Sequence, residues 1–342
     1  MLSGNSAPSI SEDKMNELIS VVIPAYSAGP YLENCLNSVL GQTCPDIEIL
    51  ITDDGSTDET GKIADRFQQE YPDKIRVFHT ENRGVTSARF EGIRDAKGAW
   101  IGFVDGDDEI EPDMYERLYN NAVKYDADIS HCGHQTIVNG GERIHKFYGT
   151  GRLAVQSREE GLKDLLEGTF EPSLCTKLIR TSLLLDMADS DQMDLSIKYN
   201  EDLLMNFYLF QTAKNSVYED FCGYHYLARS SSASRKAFSL ERVTDPVKVR
   251  ELILKCSGPD LKDIAWHKYL TSCIETYASL SVRKEYKEDA AGYRKRLLEN
   301  RDQWRLLTKS EGIKLILLLF SPKLYQFSYR LYAKRFQEKK YE

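Results

Sequence analysis

Residues 18–25, LISVVIPA, form an apolar run of strand length that is rich in β-branched residues. Stretches with the apolar spacing of helices, such as Tyr31–Leu40 and Thr60–Tyr71, alternate with further runs of this kind. Strands that are apolar throughout and alternate with helices indicate a mostly parallel sheet covered by helices. The N-terminal part of the chain therefore predicts an α/β fold. The further runs are Ile47–Thr52, Ile75–His79, Ala99–Val104 and Ala127–Cys132.

The pattern changes after about residue 150, where helical spacing predominates. Val217–Leu227 is the one later stretch with the composition of a strand, and everything after Leu240 has a helical pattern. We therefore expect a helical C-terminal extension that follows the α/β domain along the chain. The helices expected before it are Ser157–Glu167, Thr181–Met187 and Asn200–Thr212.

Charge and cysteine usage limit the classes of function. The formal net charge is −8, which argues against nucleic-acid binding because that needs a basic face to displace counterions. The seven cysteines are scattered, odd in number and contain no C-x-x-C, as in reduced cytosolic proteins. Residues 1–17 lack the features of a signal peptide, and no apolar run approaches the roughly 20 residues that span a bilayer. We expect a soluble cytoplasmic protein.

Acidic residues follow two of the apolar runs where the strands are expected to end. Asp105-Gly106-Asp107-Asp108 comes after the fourth run, and Asp53-Asp54 comes after the second. Ligands of such sheets bind beyond the carboxyl ends of the strands. Close carboxylates repel one another unless a cation relieves them, and Mg²⁺ takes one or two protein carboxylates together with substrate phosphates. We interpret 105–108 as a divalent-metal site, against the alternative of an acidic surface turn.

Two other acidic groups have a plain structural alternative. Asp53–Asp58 (DDGSTD) is typical of a turn into a helix with Thr57 or Asp58 as N-cap, but a carboxylate at the strand exit can also accept hydrogen bonds from a nucleobase or ribose. Glu201-Asp202 precedes an apolar helical run, where the helix macrodipole favours acidic residues. The functional alternative is a general base that removes a proton from an incoming hydroxyl.

The first 135 residues resemble the family 2 glycosyltransferases, which have the GT-A fold, a Rossmann-like and mostly parallel sheet flanked by helices. Six short motifs carry the resemblance, in the order and with the spacing of the family. It implies an inverting enzyme that moves a sugar from a nucleotide-diphosphate donor, by family habit a UDP-sugar, to a hydroxyl acceptor. The motifs are Ser20–Tyr26 (SVVIPAY), Ser38–Thr43 (SVLGQT), Asp53–Asp58 (DDGSTD), Asn82–Val85 (NRGV), Ala88-Arg89, and Phe103–Asp108 (FVDGDD) with Pro112.

The resemblance also implies roles for donor-binding residues. Pro24 and Tyr26 would line the nucleoside pocket, and Asp54 would bond the base. Arg89 would lie near the diphosphate or the sugar. His225 or Arg229, in a segment that resembles the one closing over the diphosphate, would contact it as well. A histidine in an apolar strand is more often structural, which is the alternative for His225.

The metal ligand and the base are implied in the same way. Asp105 and Asp107 would form a D-x-D in which Asp107 binds Mn²⁺ or Mg²⁺ directly, while Gly106 lets the backbone bend and approach a ligand. Asp202, in a motif shared with Glu201, would take the proton of the acceptor hydroxyl. The acceptor implied is a glycan or a lipid-linked glycan, as in cell-surface polysaccharide synthesis.

The chain departs from the family at two positions near the expected pocket. Ser27 stands where Asn usually follows Pro-x-Tyr, and Phe90 stands where Asn usually follows Ala-Arg. Neither is the base or the metal ligand, so the departures bear on donor preference.

We divide the chain into a disordered lead at 1–17, a nucleotide-sugar-binding half at 18–135, an acceptor-binding half with the base at 136–235, and a helical region at 236–342. Residues 311–342 contain seven Lys/Arg and three Glu, with apolar and aromatic residues between them. Such a tail is suited to peripheral membrane contact through 311–340. The alternative is a helix packed on the body or on a partner subunit, and the oligomeric state is left open.

The turn after the first strand lacks the motifs that competing enzyme classes require. An oxidoreductase would need G-x-G-x-x-G there and a nucleotidyltransferase a Gly-rich phosphate loop, whereas residues 24–27 are PAYS. A non-catalytic carbohydrate- or nucleotide-sugar-binding protein on the same fold is the remaining alternative, and it should lack a placed base.

Overall fold

The computed structural model describes residues 17–44, 46–138, 143–145, 150–228 and 238–326. The predicted lead at 1–17 lies outside them except for Glu17. None of the helices in these ranges is long and apolar enough to cross a bilayer.

The strands of the described residues join in one mixed sheet with the order β3-β2-β1-β4-β9-β6-β10-β5, to which β7 and β8 are added beside β6 and β10. The first four strands of this order are parallel. β9 then runs antiparallel to both β4 and β6, and β6 is parallel to β10. The strands are β1 (Ile19–Ala25), β2 (Ile47–Asp54), β3 (Ile75–Thr80), β4 (Trp100–Phe103), β5 (Glu109–Ile110), β6 (Ile129–Ile137), β7 (Arg143–His145), β8 (Leu153–Ser157), β9 (Lys177–Arg180) and β10 (Asn215–Leu227).

Helices flank the sheet and form the C-terminal region, so the predicted α/β class is confirmed. The expected parallel pairing holds from β3 to β4 and between β6 and β10, whereas β5, β7, β8 and β9 pair antiparallel. α3 contacts β1 and β2, α2 contacts β3, and α4 contacts β6. The helices are α1 (Gly29–Leu40), α2 (Thr60–Glu70), α3 (Val85–Asp95), α4 (Met114–Lys124), α5 (Arg158–Glu167), α6 (Thr181–Ala188), α7 (Glu201–Thr212), α8 (Leu240–Cys256), α9 (Pro259–Leu280), α10 (Lys287–Glu299) and α11 (Lys309–Phe320).

The central strands are buried along their whole length. Every residue of β1 and of β2 is buried, which is why their sequences are apolar throughout instead of alternating. The polar exceptions in β2 include Asp53 and Asp54 at its carboxyl end. Burial of two carboxylates at a strand end requires hydrogen-bond partners, and these define the candidate site below.

The chain forms two compact units that alternate along the sequence. Unit 1 comprises 1–158, 173–192 and 212–230, and it contains the sheet. Unit 2 comprises 159–172, 193–211 and 231–342, and in it α9 contacts α8, α10 and α11. The predicted boundaries at 135/136 and 235/236 refer to function and stay a prediction.

Candidate active site

Three parallel strands of unit 1 end at the same edge of the sheet. Ala25 at the end of β1 pairs with Asp53 of β2, and the turn after β4 continues the ladder through the N–H of Gly106, which donates to the carbonyl of Pro24 at 3.2 Å. A Cβ on Gly106 would lie 3.2 Å from the Cβ of Ala25. Glycine therefore lets this turn lie close against β1, and the predicted approach of Gly106 to a ligand stays a prediction.

The first carboxylate of the acidic turn lies beside a buried cation. Arg89 of α3 is 2% exposed and donates from Nη2 to Oδ1 of Asp105 at 3.2 Å. The side chain of Asp105 is 38% exposed. Because an arginine keeps its charge when buried, Arg89 offsets part of the negative charge of this turn and orients Asp105.

The last carboxylate of the turn faces the protein interior. Tyr224 of β10 donates its hydroxyl to Oδ2 of Asp108 at 2.7 Å, and the N–H of Leu227 donates to Oδ1 at 2.8 Å. Burial raises the pKa of Asp108 well above its usual range, and the charges of Asp107 and Asp105 raise it further. Asp108 therefore ties β10 to the acidic turn, whereas Asp105 and Asp107 are the partly exposed carboxylates of this turn.

The donor set of this turn fits Mg²⁺ or Mn²⁺. Asp105 and Asp107 are partly exposed and present hard carboxylate oxygens, and Mg²⁺ needs only one or two of these beside phosphate oxygens and water. Within the described ranges no group of three or more His, Cys, Asp or Glu side chains is arranged to hold a metal ion. A site at residues 105–107 would thus depend on ligands from the substrate.

Asp54 holds the loop that carries the NRGV motif. Its Oδ1 accepts from the N–H of Arg83 at 2.8 Å and its Oδ2 from the N–H of Gly84 at 2.9 Å. Gly84 has a φ of +91°, a conformation that glycine adopts without strain. Since a carboxylate offers about four lone-pair sites, Asp54 can still accept a further bond, as the predicted contact with the base requires.

The loops after β1 and β2 are joined by the carboxylate of Asp58. It accepts from the N–H of Thr60 at the start of α2 at 3.1 Å and from the N–H of Gly29 in α1 at 3.1 Å. The predicted N-cap at Thr57 or Asp58 is wrong, because α2 begins at Thr60 with Glu59 in the N-cap position. One side chain thus satisfies orphan N–H groups of two helices. These bonds lower the pKa of Asp58, although partial burial acts in the opposite direction.

The residues predicted to line the nucleoside pocket lie at the end of β1. Pro24 is buried, and Tyr26 is 55% exposed. Ser27 has a φ of +52°, and its N–H donates to Oγ of Ser56 at 3.0 Å. Asn is enriched at positive φ, so the family's usual residue suits this backbone better than Ser27 does. Phe90, the other departure, is buried in α3.

His79 connects the carboxyl end of β2 to α2. Its Nδ1 lies 3.0 Å from Oδ2 of Asp53, and its Nε2 lies 3.0 Å from Oδ1 of Asp65. The neighbouring carboxylates of Asp65 and Asp53 raise the pKa of His79 above its usual 6.5. A protonated His79 therefore stabilises the edge of the sheet next to Asp54.

Substitution of this histidine should have a pH-dependent effect on stability. Because the folded-state pKa of His79 is raised, its contribution is fully present below the unfolded-state pKa of about 6.5 and is lost as the pH rises through the folded-state pKa. We expect His79→Gln to lower the free energy of unfolding by up to about 1 kcal/mol near pH 6, and by less near pH 9. Urea unfolding of both proteins at the two pH values measures this. An equal difference at both would show that the charge of His79 contributes nothing.

His225 and Arg229 differ in what the structure shows of them. His225 is buried, with Nε2 at 2.7 Å from Oε1 of Glu111 and at 2.8 Å from Nε2 of Gln135. These contacts hold the ring between β6 and the residue that follows β5. Its predicted contact with the donor stays a prediction. Arg229 lies outside the described residues.

The predicted base belongs to unit 2. Glu201 and Asp202 open α7, directly after Asn200, which has a φ of +66°. Buried Asn206 lies one turn further on and donates from Nδ2 to the carbonyl of Asp202 at 2.9 Å and to that of Pro172 at 2.6 Å. These two bonds fix the first turn of α7 against the neighbouring segment of its own unit. The role of Asp202 as base stays a prediction.

Sequence reasoning missed the residues that position the acidic groups. Tyr224, Asn206 and His79 each bond a predicted site residue or its neighbour. Tyr224 and Asp108 are 116 residues apart in sequence, so no local pattern reveals their contact. Asn206 was open to prediction, since an Asn within an apolar helix needs a partner for its side chain.

Comparisons with known proteins agree with the motifs. The family described as "Glycosyl transferase family 2" matches residues 20–186. The chain is 35% identical to glycosyltransferase GlyG of Streptococcus pneumoniae over 293 residues, which cover 80% of this chain and 94% of GlyG. It is 43% identical to the uncharacterized glycosyltransferase EpsJ of Bacillus subtilis over 119 residues, which are 35% of this chain and 34% of EpsJ.

A solved structure has the same fold. Residues 1–349 of S. aureus TarS, crystallised in complex with UDP-GlcNAc, superpose with a TM-score of 0.68 at 20% sequence identity, covering 94% of this chain and 92% of that one. The expected GT-A fold, with its helical C-terminal region, is thereby confirmed.

Proposed function

The chain belongs to the family 2 glycosyltransferases, and from this premise we propose that it transfers a sugar from a UDP-sugar to a hydroxyl of a glycan or lipid-linked glycan, with inversion at the anomeric carbon. The observation that supports the donor site most directly is the edge of unit 1. There Asp105 pairs with buried Arg89, while Asp108 faces inward and leaves Asp107 at the rim. TarS, which shares the fold, has been crystallised with UDP-GlcNAc. This supports a nucleotide-sugar as donor.

The donor would be bound by residues of the loops after β1, β2 and β4. Exposed Tyr26 would stack on the nucleobase, and Asp54 would accept a hydrogen bond from the base while it keeps the Arg83–Gly84 loop in place. Arg89 would place its positive charge near the diphosphate. Asp58, which joins two of the loops, would keep the pocket formed before the donor arrives.

Asp107 would hold Mg²⁺ or Mn²⁺ directly, with Asp105 assisting. The bound ion would supply Lewis-acid neutralisation of the charge that develops on the departing diphosphate. Asp105 is suited to the assisting role because Arg89 already holds one of its oxygens.

Asp202 would act as general base and accept the proton of the acceptor hydroxyl as this attacks the anomeric carbon. Direct displacement inverts the configuration and needs no second carboxylate as a covalent nucleophile. Asn206 would keep the first turn of α7, and thereby Asp202, in one position. We also propose that the reaction takes place in the cytoplasm, with peripheral membrane contact through 311–340, and this contact is independent of the chemistry.

Thermal denaturation with a set of nucleotide-sugars, each with Mn²⁺ or Mg²⁺, tests the donor. A ligand that binds only the folded protein adds about 2.7 kcal/mol of stability at a concentration 100 times its Kd. We expect the melting temperature to rise with one or more UDP-sugars plus metal, and less when the metal is chelated. If no nucleotide-sugar changed the melting temperature, the proposed donor class would be wrong.

A non-catalytic binding protein on the same fold would give the same shift in melting temperature. Slow hydrolysis of the bound nucleotide-sugar in the absence of acceptor distinguishes the two functions. An enzyme should release UDP at a rate that falls on chelation of the metal. A pure binding protein should release none.

A further inference from the structure

Helix α11 exposes an apolar stripe to solvent. Ile313, Ile316 and Phe320 recur at helical spacing on one side of α11 and are 67%, 63% and 83% exposed. Leu324, in the short helical stretch at 322–326, is 47% exposed. We call these four residues the α11 stripe. Exposed apolar residues grouped along one side of a helix often mark a contact site on the surface of a protein.

The opposite side of α11 is fixed to unit 2, so the stripe cannot turn inward. Leu315 and Leu318 are fully buried, and α11 contacts α9. Glu311, which forms a capping box with Thr308, also lies 3.0 Å from Nε2 of His267 in α9. When a helix is apolar on two sides and only one side is buried in the protein, the second apolar side can pack against another surface.

Basic residues precede and follow the stripe along the chain. Lys309, Lys314 and Lys323 are all exposed, and the carboxylate of Glu311 is engaged by His267 and Thr308. The sequence from 327 to 342, outside the described residues, adds five Lys/Arg and two Glu. Apolar residues flanked by lysines complement a surface that has an apolar interior and negatively charged groups at its boundary with water.

Building on the membrane contact proposed above for 311–340, we propose that the α11 stripe is the part that docks the protein on an anionic lipid bilayer. Ile313, Ile316 and Phe320 enter the boundary between head groups and acyl chains, and the flanking lysines contact the lipid phosphates. α11 lies in the plane of the membrane, because its buried face is held by α9. Docking in this way places unit 2 at a lipid surface and needs no spanning segment.

A second copy of the chain fits the stripe less well than a bilayer does. A stable interface buries about 800 Å² on each partner, so a dimer contact would have to extend well beyond the four residues of the stripe. Stripe-to-stripe packing would also bring the lysines of both copies together, and like charges repel. Self-association through the stripe is therefore an outcome that the experiment must be able to detect.

The test is flotation of the full chain with vesicles of phosphatidylcholine alone or mixed with phosphatidylglycerol. The doubly substituted variant Ile316→Gln/Phe320→Gln removes two exposed residues of the stripe. Val282→Gln/Leu298→Gln removes two exposed apolar residues of unit 2 elsewhere and is the matched control. We expect the wild type and the control to bind the anionic vesicles, and the stripe variant to bind about tenfold more weakly or worse. Because all four side chains are exposed, the melting temperatures should stay similar.

Three results would overturn the proposal. One is a wild type that does not float with anionic vesicles, and another is a stripe variant that floats as well as the control. The third comes from sedimentation velocity without lipid: a wild-type dimer that the stripe variant converts to a monomer would assign the stripe to a second copy. Donor hydrolysis by the stripe variant should equal that of the wild type, so failure of this proposal is separable from failure of the proposed transfer reaction.

Discussion

Asp202→Asn is expected to abolish sugar transfer and leave donor binding close to that of the wild type. Asn has nearly the same shape as Asp but cannot accept the acceptor's proton, so kcat should fall by about 10²- to 10⁴-fold. The donor Kd should stay unchanged, because in the proposed reaction Asp202 acts on the acceptor hydroxyl. Rates with a donor and a hydroxyl acceptor, together with donor affinity from calorimetry, measure both quantities. Full turnover by the variant would remove Asp202 from the role of base.

Glu201→Gln is the matched control for this substitution. Glu201 and Asp202 are neighbouring acids in the first turn of α7, and both interact favourably with the helix macrodipole. If the two acids served only to stabilise the helix start, both substitutions should have similar, small effects on activity and stability. A base at Asp202 instead predicts a large loss of kcat for Asp202→Asn, a smaller one for Glu201→Gln, and similar melting temperatures for the two variants.

The fold was predictable from sequence where strands are buried on both faces. β1 and β2 have apolar sequences because every residue of each strand is buried, and their observed bounds agree with the apolar runs at 18–25 and 47–52 to within two residues. β9 was missed because it has four residues, KLIR, and depends on antiparallel pairing with β4 and β6. β8 is a short strand beside β10 with mostly exposed side chains, and such a segment has no strong pattern.

The candidate site was predictable only as a set of chemical groups at one edge. The sequence placed Asp54, Asp105 and Asp107 after parallel strands. In the structure Asp105 and Asp107 do follow β4, whereas Asp54 is the last residue of β2. Apart from the family resemblance, the sequence offered no means to distinguish Asp107 from Asp108, because the inward orientation of Asp108 depends on Tyr224 and Leu227 of β10. Partners so distant in sequence are determined by the packing of the sheet, which motif spacing does not encode.

The orientation of the acidic turn leads to the second large effect. Asp107→Ala is expected to weaken donor binding in the presence of Mn²⁺ by about 100-fold or more, since even residues that only support a metal ligand typically contribute 10- to 100-fold. Without metal, wild type and variant should bind the donor with similar, weak affinity, because the substitution removes only what the ion contributes. Calorimetric titration of UDP-sugar with Mn²⁺ and with a chelator gives the four affinities required.

Asp73→Ala is the control, because it removes one exposed carboxylate from the turn before β3 and changes the net charge equally. It should keep the affinity and metal dependence of the wild type. If Asp107→Ala retained wild-type affinity in Mn²⁺, Asp107 would not be a ligand of the ion. If the donor affinity of Asp107→Ala fell by the same factor with and without metal, the carboxylate would act on the donor or on the fold instead. Only a loss of affinity confined to the metal-containing titration supports a divalent ion at the end of β4. Asp105 and Asp107 would hold that ion, because Asp108 faces inward and bonds Tyr224.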